Sequence, residues 1–168
     1  ITISIEPKPP PASACTAPST ASAALAKARG VLLHTHLAET EDENGFCEEV
    51  FGCRPLDYVE DCGWSETKSW YAHGIHFNSD EIQRLAKAGA GVASCSHSNM
   101  HLSSGICSAC ELESAGVSVG LGVDGSASND ASNMMQEVRA AWLIQRLKYG
   151  SGAVSWNDAL RWATQGSA

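Results

Sequence analysis

The stretch Val31-Leu32-Leu33-His34-Thr35-His36 places a short apolar run directly before two histidines. The pattern recurs along the chain: residues 70–72 precede His73, residues 91–93 lead to His97, and residues 117–123 precede Asp124. Short apolar runs separated by longer amphipathic stretches are typical of parallel α/β proteins, whose strands are buried on both faces. Ligands of such proteins bind at the carboxyl ends of the strands. The polar residues after the runs therefore predict one functional site.

The same pattern predicts the order of the elements. We expect strands at residues 1–5, 31–36, 70–72, 91–93 and 117–123, and loops at residues 7–18, 94–105 and 124–132. The first loop holds five of the six prolines, which disfavour helices and central strands. Helices are predicted at residues 25–29, 40–52, 55–63, 81–88, near Leu112, 134–147 and 156–164. The expected N-caps are Thr20 or Ser22 for the first of these helices, Ser79 for the helix at 81–88 and Ser155 for the last one.

The composition favours one folded domain and excludes some classes of partner. The chain has 168 residues, of which 43% are hydrophobic and 18% charged, whereas a complete eight-stranded α/β barrel takes roughly 250 residues. Nineteen acidic against 11 basic side chains give a net charge of −8, which argues against nucleic-acid and anionic membrane surfaces. We expect one domain over residues 1–168, with a small-molecule ligand and with neither nucleic acid nor membrane as a partner.

The seven cysteines favour a reducing, cytoplasmic location. Their number is odd and most lie in apolar or helical segments, unlike those of a small disulfide-stabilised protein. Cys107 and Cys110 form one C-x-x-C pair, but a zinc ribbon needs a second pair. The first residues also lack the charged and apolar regions of a secretion signal.

The strand-end residues suit metal-assisted hydrolysis. Imidazole and carboxylate groups can hold a divalent ion that lowers the pKa of a bound water from ~15.7 towards ~7. His34 and His36 share one face of their strand, and only one of them need be a ligand. Each residue also has a purely structural explanation. His34, His76 and His101 can be hydrogen-bonded structural histidines, Asp124-Gly125 is an ordinary turn sequence, and Glu39 suits a helix start.

Four segments together carry a resemblance to a known family. They are Leu33-His-Thr-His-Leu-Ala-Glu39, Ala72-His-Gly-Ile-His76, Ser98-Asn-Met-His-Leu-Ser-Ser-Gly105 and Gly120-Leu-Gly-Val-Asp-Gly-Ser-Ala-Ser-Asn-Asp130. With them the sequence resembles the amidohydrolase superfamily, in its branch of metal-dependent aminohydrolases and chlorohydrolases that act on purines and triazines. The resemblance implies a partial (β/α)₈ TIM barrel, the carboxyl-terminal part from about the fourth to the eighth strand.

The resemblance also implies roles for individual residues. His36 and Asp124 would bind one divalent metal ion, with zinc as the expected ion and iron as the alternative. Glu39 would protonate a ring nitrogen of the substrate, His73 would orient or polarise the metal-bound hydroxide, and Asp124 would take the proton from the attacking water. Substrate contacts are expected from Ser98, Asn99 and Ser126.

The implied reaction is hydrolytic deamination of a purine-like heterocycle, of the 8-oxoguanine or guanine type, in a homo-oligomeric enzyme. Two alternatives stay open: a triazine-type aminohydrolase or chlorohydrolase, and a catalytically incompetent barrel fragment with a structural or association role. The sequence departs from the family at three places. It has no counterpart of the first-strand His-x-His pair, and the seventh-strand His-Cys-Pro reads Ser94-Cys95-Ser96. Its opening segment matches the fourth-strand region only loosely, with the run Pro7-Lys8-Pro9-Pro10-Pro11 in place of a less proline-rich loop.

Overall fold

The structure is a computed structural model that describes residues 12–168, with side chains described from Ser19 onward. Its centre is a parallel sheet of four strands in the order β1-β2-β3-β4. The strands are β1 (Leu33–Leu37), β2 (Ser69–His73), β3 (Gly91–Ser94) and β4 (Ser118–Leu121). The predicted α/β class is thus confirmed, whereas the strand predicted at residues 1–5 lies outside the described residues.

Helices connect the strands and follow the last one. They are α1 (Ala12–Arg29), α2 (Glu41–Phe51), α3 (Pro55–Asp61), α4 (Ser79–Ala88), α5 (Ser96–His101), α6 (Ala109–Ala115), α7 (Met134–Tyr149) and α8 (Trp156–Ala163). Two 3₁₀ turns span Trp64–Glu66 and Gln165–Ser167. None of the helices in the described part of the chain has the length and apolar character needed to cross a membrane.

Helix α1 corrects the prediction of a loop at residues 7–18 over residues 12–18, while residues 7–11 lie outside the described part of the chain. It begins at Ala12 and includes Pro18, so Thr20 and Ser22 lie within it and do not cap it. The first four N–H groups of any helix lack an intrahelical acceptor, but Pro18 lies beyond them and removes one hydrogen bond. Eight alanines in α1, the residue with the highest helix propensity, favour the helix despite that loss.

Other predicted boundaries also differ from the structure, among them the start of β1 and the N-cap of α4. Strand β1 begins at Leu33, and the side chains of Val31 and Leu32, which we had placed in it, are exposed. The N-cap of α4 is Asn78, where we had expected Ser79. Asn78 Oδ1 accepts from the backbone N–H of Glu81, and the Glu81 carboxylate accepts from the N–H of Asn78, so both donors at the helix start are satisfied.

The hydrophobic core combines the sheet with the helices around it. Buried side chains from all four strands join those of α3, α4, α6, α7 and α8 in one cluster. Trp64 and Trp162, both at most 2% exposed, are the largest side chains in it. This packing fixes the strands in position and leaves their carboxyl ends to carry polar residues.

The edge of the sheet at β4 is covered by the end of the chain. The Ser167 hydroxyl accepts from the N–H of Leu121 over 3.1 Å and donates to the carbonyl of Trp162 over 2.8 Å. The turn Gln165–Ser167 therefore lies along β4. At the other edge, β1 has β2 as its one strand neighbour among the described residues.

Candidate metal centre

Two imidazoles and a carboxylate meet at the carboxyl ends of the strands. His36 lies on β1, His73 is the last residue of β2, and Asp124 follows β4. One nitrogen or oxygen from each lies within 4.8 Å of the others. His73 is buried, whereas His36 and Asp124 are partly exposed. The strand-end residues of three separate strands thus form one compact cluster that solvent can reach.

Unusual backbone conformations at the strand ends orient this cluster. Ala38, His73 and Asp124 have φ angles of 53°, 70° and 63°. Residues other than glycine rarely adopt positive φ, and each instance costs on the order of 1–3 kcal/mol. Such strain concentrates at functional sites, where the surrounding packing maintains it.

His73 is held by a buried amide. Its Nδ1 lies 2.9 Å from Oδ1 of Asn99 on α5. Because an amide oxygen only accepts, a neutral His73 ring carries its proton on Nδ1 and presents the lone pair of Nε2. That Nε2 lies 3.6 Å from the Glu39 carboxylate and 3.9 Å from that of Asp124. The lone pair is therefore directed at the acidic side of the cluster, where a cation fits.

Asp124 is held anionic by hydroxyl donors. The Ser98 hydroxyl donates to Oδ2 of Asp124, and the Ser128 hydroxyl lies 3.2 Å from the same oxygen. Burial alone would raise the pKa of Asp124. The hydrogen bonds from Ser98 and Gly125 and the nearby His73 outweigh it, and the pKa lies below its ordinary value. Asp124 is thus a carboxylate at neutral pH, the form that binds metal ions.

Glu39 lies in a turn whose backbone is hydrogen-bonded to a second glutamate, Glu43. The backbone N–H groups of Ala38 and Glu39 donate to the Glu43 carboxylate over 3.0 and 2.8 Å. Thr40 caps α2 by accepting from the Glu43 N–H. Burial raises the pKa of Glu43, although these donors oppose the shift. We did not predict Glu43, but the pattern Thr40-x-x-Glu43 is a known signature of a helix start.

The other histidines are engaged elsewhere. His34, which shares a face of β1 with His36, stacks on Trp70, and burial lowers its pKa. His76 Nε2 lies 2.9 Å from the carbonyl of Ser104, and His101 is exposed at the end of α5. The geometry therefore separates His36 from His34, a choice that the sequence had left open.

Helix α5 lies where we had predicted a loop at residues 94–105, and this corrects that prediction. It carries two of the three expected substrate contacts, Ser98 and Asn99, which are 0% and 2% exposed and face Asp124 and His73. The third, Ser126, is exposed in the turn after Asp124. Their contact with a substrate stays a prediction.

A buried carboxylate that we did not predict supports α5. Glu137 on α7 is fully buried, and its carboxylate lies 2.7 Å from Nδ1 of His97 and 3.3 Å from the His97 backbone nitrogen. The two residues are 40 positions apart in the sequence. No local pattern could have indicated this contact.

The cluster fits a divalent metal ion. Zinc is bound in proteins by imidazole nitrogens and carboxylate oxygens, usually in a tetrahedral arrangement with four ligands. His36 and Asp124 supply one donor of each kind, and the free lone pair of His73 provides a third within the same space. The family resemblance assigns His73 to the orientation of the hydroxide. The geometry places a donor atom of His73 within 4.8 Å of those of His36 and Asp124.

Comparison with known proteins gives two kinds of match. A sequence profile described as "Amidohydrolase family" matches residues 2–168. The 8-oxoguanine deaminase of Pseudomonas aeruginosa is 57% identical over 148 residues, which cover 88% of this chain and 33% of the relative. The hydroxydechloroatrazine ethylaminohydrolase of Pseudomonas sp. strain ADP is 42% identical over 150 residues, covering 88% and 31%. The chain therefore spans about a third of the length of the curated relatives it matches.

Solved structures of lower sequence identity match the fold of the chain. An adenosine deaminase from Xanthomonas campestris with bound zinc superposes with a TM-score of 0.85 at 31% identity, covering 91% of this chain and 35% of the other. The zinc complex of atrazine chlorohydrolase from Arthrobacter aurescens gives a TM-score of 0.86 at 32% identity, covering 91% and 34%. These matches confirm the predicted fold class, since the sheet and its helices correspond to part of a (β/α)₈ barrel.

Proposed function

The chain belongs to the amidohydrolase family, and from this membership we propose that it forms the carboxyl-terminal part of the barrel of a metal-dependent deaminase. The observation that carries the proposal is the convergence of His36, His73 and Asp124, with Glu39 beside them. The substrate class we propose is a purine-like heterocycle of the 8-oxoguanine or guanine type. The 57% identity to an 8-oxoguanine deaminase supports that choice.

His36 and Asp124 would hold the metal ion, for which we propose zinc. A donor atom of His73 lies within 4.8 Å of theirs. When bound, such an ion would lower the pKa of a water molecule on it, so that hydroxide is available near neutral pH. Zinc-bound relatives at TM-scores of 0.85 and 0.86 support this assignment. The first-strand His-x-His of the family would complete the ligand set from a preceding part of the barrel.

The residues around the cluster would divide the proton transfers. Glu39, 24% exposed, is the carboxyl group that a substrate can reach, and it would protonate a ring nitrogen. In the complete barrel, where the first-strand His-x-His would fill the ligand set, Nε2 of His73 would orient the attacking water, and Asp124 would accept the proton of that water. In the isolated chain the same lone pair is free to bind the ion. Protonation makes the ring carbon next to the nitrogen more electrophilic, so the water adds there. The proton held by Asp124 would then pass to the exocyclic amine, which leaves as ammonia, and the proton of the added hydroxyl would return to Glu39 as the carbonyl forms. Exposed Ser126 would contact the substrate.

A second candidate is hydrolysis of a triazine ring. The 42% identity to hydroxydechloroatrazine ethylaminohydrolase favours it, as does the structural match to atrazine chlorohydrolase. A triazine carbon is also flanked by ring nitrogens, so the same residues could act on it. A homo-oligomeric assembly and a cytoplasmic location are further parts of the proposal.

A hybrid enzyme tests the proposal. This chain would replace the matching third of the Pseudomonas aeruginosa 8-oxoguanine deaminase, which supplies the remaining strands. We expect the hybrid to bind zinc and to release ammonia from 8-oxoguanine or guanine, and the same hybrid with Asp124→Asn to release none. Turnover of hydroxyatrazine alone would favour the triazine alternative. A folded, zinc-loaded hybrid that is inactive on all three would support the incompetent fragment.

A further inference from the structure

Helix α5 links the two side chains that orient the cluster. Its Ser98 donates to Asp124, and its neighbour Asn99 accepts from His73. The helix has only six residues, and its N-cap, Cys95, forms no side-chain capping bond. Helices this short are unstable on their own, so α5 needs support from elsewhere in the fold.

Glu137 supplies that support from α7. Both of its carboxylate oxygens lie 3.3 Å from the backbone nitrogen of His97, in the first turn of α5. That N–H is one of those that a helix itself leaves without an acceptor, and the positive end of the helix dipole favours a carboxylate there. The His97 side chain adds a 2.7 Å hydrogen bond to the same carboxylate. Glu137 therefore caps a helix to which it does not belong.

We propose that Glu137 is a positioning residue for the metal centre. It fixes α5, and α5 places Asn99 so that His73 carries its ring proton on Nδ1 and keeps the Nε2 lone pair available. Residues behind a metal-bound histidine commonly fix its tautomer in this way. The inference deepens the proposed function and rests on it for its biological meaning, but the tautomer of His73 can be measured without any substrate.

A purely stabilising role for Glu137 predicts something different. Removing a buried, hydrogen-bonded carboxylate destabilises a protein wherever the carboxylate lies. Loss of stability alone would therefore not distinguish the two roles. The tautomer of His73 does, because only the positioning role connects Glu137 to that ring.

The test uses the 168-residue chain labelled with ¹⁵N-histidine, at about pH 8, above the ordinary histidine pKa of ~6.5. Two-bond ¹H–¹⁵N correlation spectra show which ring nitrogen of His73 carries the proton. We expect one Nδ1–H tautomer in the unmodified chain, a mixture in Glu137→Gln and in Asn99→Leu, and recovery in Asn99→Asp, which keeps the acceptor. In Glu137→Gln and Asn99→Leu, affinity for zinc alone should fall about 10- to 100-fold.

The matched control is Glu81→Gln. Glu81 is as buried as Glu137 and also caps a helix, but that helix is α4, and its partner Arg54 lies outside the cluster. This variant should lose thermal stability and keep both the His73 tautomer and the zinc affinity.

Two results would overturn the proposal. One is an Nε2–H tautomer in the unmodified chain. The other is a Glu137→Gln chain that behaves like the control, less stable but with an unchanged tautomer and unchanged zinc affinity. If Glu137→Gln does not fold, His97→Phe removes the same side-chain contact and is judged by the same readouts. Failure of the hybrid enzyme to release ammonia would leave these readouts unaffected, so the two proposals fail separately.

Discussion

The ring of His34 stacks on the indole of Trp70, with centroids 3.5 Å apart and planes inclined by 12°. Its Nδ1 also lies 3.3 Å from the Trp70 carbonyl. Two residues further along β1, His36 instead faces the ring of His73, at a centroid distance of 5.1 Å. One face of one strand thus carries a histidine that packs against the sheet and a histidine that lies in the candidate metal centre.

Matched substitutions on this face should separate the two roles. We expect His36→Gln to weaken zinc binding by more than ~10-fold, the lower end of the loss seen even for residues behind a ligand. His34→Gln should leave zinc affinity unchanged and reduce stability by about 1 kcal/mol through the lost stacking. Zinc titration and urea unfolding of both variants measure this. Equal losses of zinc affinity would contradict the assignment.

The two carboxylates beside the cluster should differ in their effect on the metal. In the hybrid enzyme we expect Glu39→Gln to retain zinc and Asp124→Asn to lose it, because only Asp124 is placed as a ligand. Both should lower kcat by about 10²-fold or more, as for other positioned acid and base groups. Elemental analysis and ammonia release provide the measurements. Exposed Glu41 offers the control Glu41→Gln, which should change neither value, and a fully active Glu39→Gln would exclude the proposed proton donor.

Gly74 should tolerate alanine much less well than Gly89 does. Both have positive φ, 58° and 66°, so both substitutions cost about 1 kcal/mol in backbone strain. An added Cβ at Gly74 would lie only 2.7 Å from Cγ1 of Val92, whereas at Gly89 it meets nothing within 4 Å. We expect urea unfolding to give a loss of about 2–4 kcal/mol for Gly74→Ala, including overpacking. Similar losses of unfolding free energy in the two variants would show that Val92 moves to make room for the added methyl group.

The buried thiols should resist modification. Burial raises the pKa of Cys47, Cys95 and Cys107 to about 12, so almost none of their thiolate forms near pH 8. Partly exposed Cys53 and Cys110 should therefore react with iodoacetamide before these three, although burial raises their pKa values as well. Mass spectrometry of timed digests follows the order of labelling. Early labelling of Cys107 in the folded chain would show that the region around α6 opens.

The contact between α6 and α8 should weaken in acid. Glu113 accepts from Arg161 over 2.7 Å and from the Trp162 indole over 2.9 Å. The Arg161 hydrogen bond outweighs burial and lowers the pKa of Glu113. A lowered carboxyl pKa stabilises the fold above the unfolded value of ~4.3, and this contribution is lost as pH falls through the lower folded value.

Glu113→Gln should accordingly be less stable than the unmodified chain at about pH 7, by about 1 kcal/mol. The difference should shrink below about pH 4, where the unmodified carboxyl also becomes protonated. Urea midpoints across this range provide the measurement, with exposed Glu49→Gln as a control that should show no such trend. A difference that is independent of pH would mean that packing, not charge, holds the contact.

The strands that carry the site were predictable from local sequence. Buried parallel strands appear as apolar runs, so residues 70–72 and 91–93 fall within β2 and β3, and residues 117–123 include β4. The rule that ligands bind at strand ends then indicated Asp124 and the pair His34 and His36, of which the family resemblance selected His36. The start of β1 was misplaced because hydrophobicity does not reveal that Val31 and Leu32 are exposed.

Contacts between distant residues could not be predicted in this way. Helix α5 depends on Glu137, which lies 40 residues further along the chain, so its own polar sequence predicted a loop. For the same reason Ser98 and Asn99 were expected at the substrate, although their partners in the structure are Asp124 and His73. A single sequence shows which side chains are available, but not which of them the fold brings together.

The two edges of the sheet differ in how readily they can pair with a further strand. Beside β4 the turn Gln165–Ser167 occupies the place of a further strand, so an incoming strand meets a barrier there. Backbone groups can be offered to a new strand beside β1, where β2 is the one strand neighbour in the described part of the chain. A closed barrel pairs both edges, so a separately produced fragment that completes the barrel would have to displace the turn Gln165–Ser167 before it pairs with β4, whereas it could pair directly with β1. The same side is where two copies of the chain would mispair at high concentration, so productive complementation and aggregation would compete for one edge.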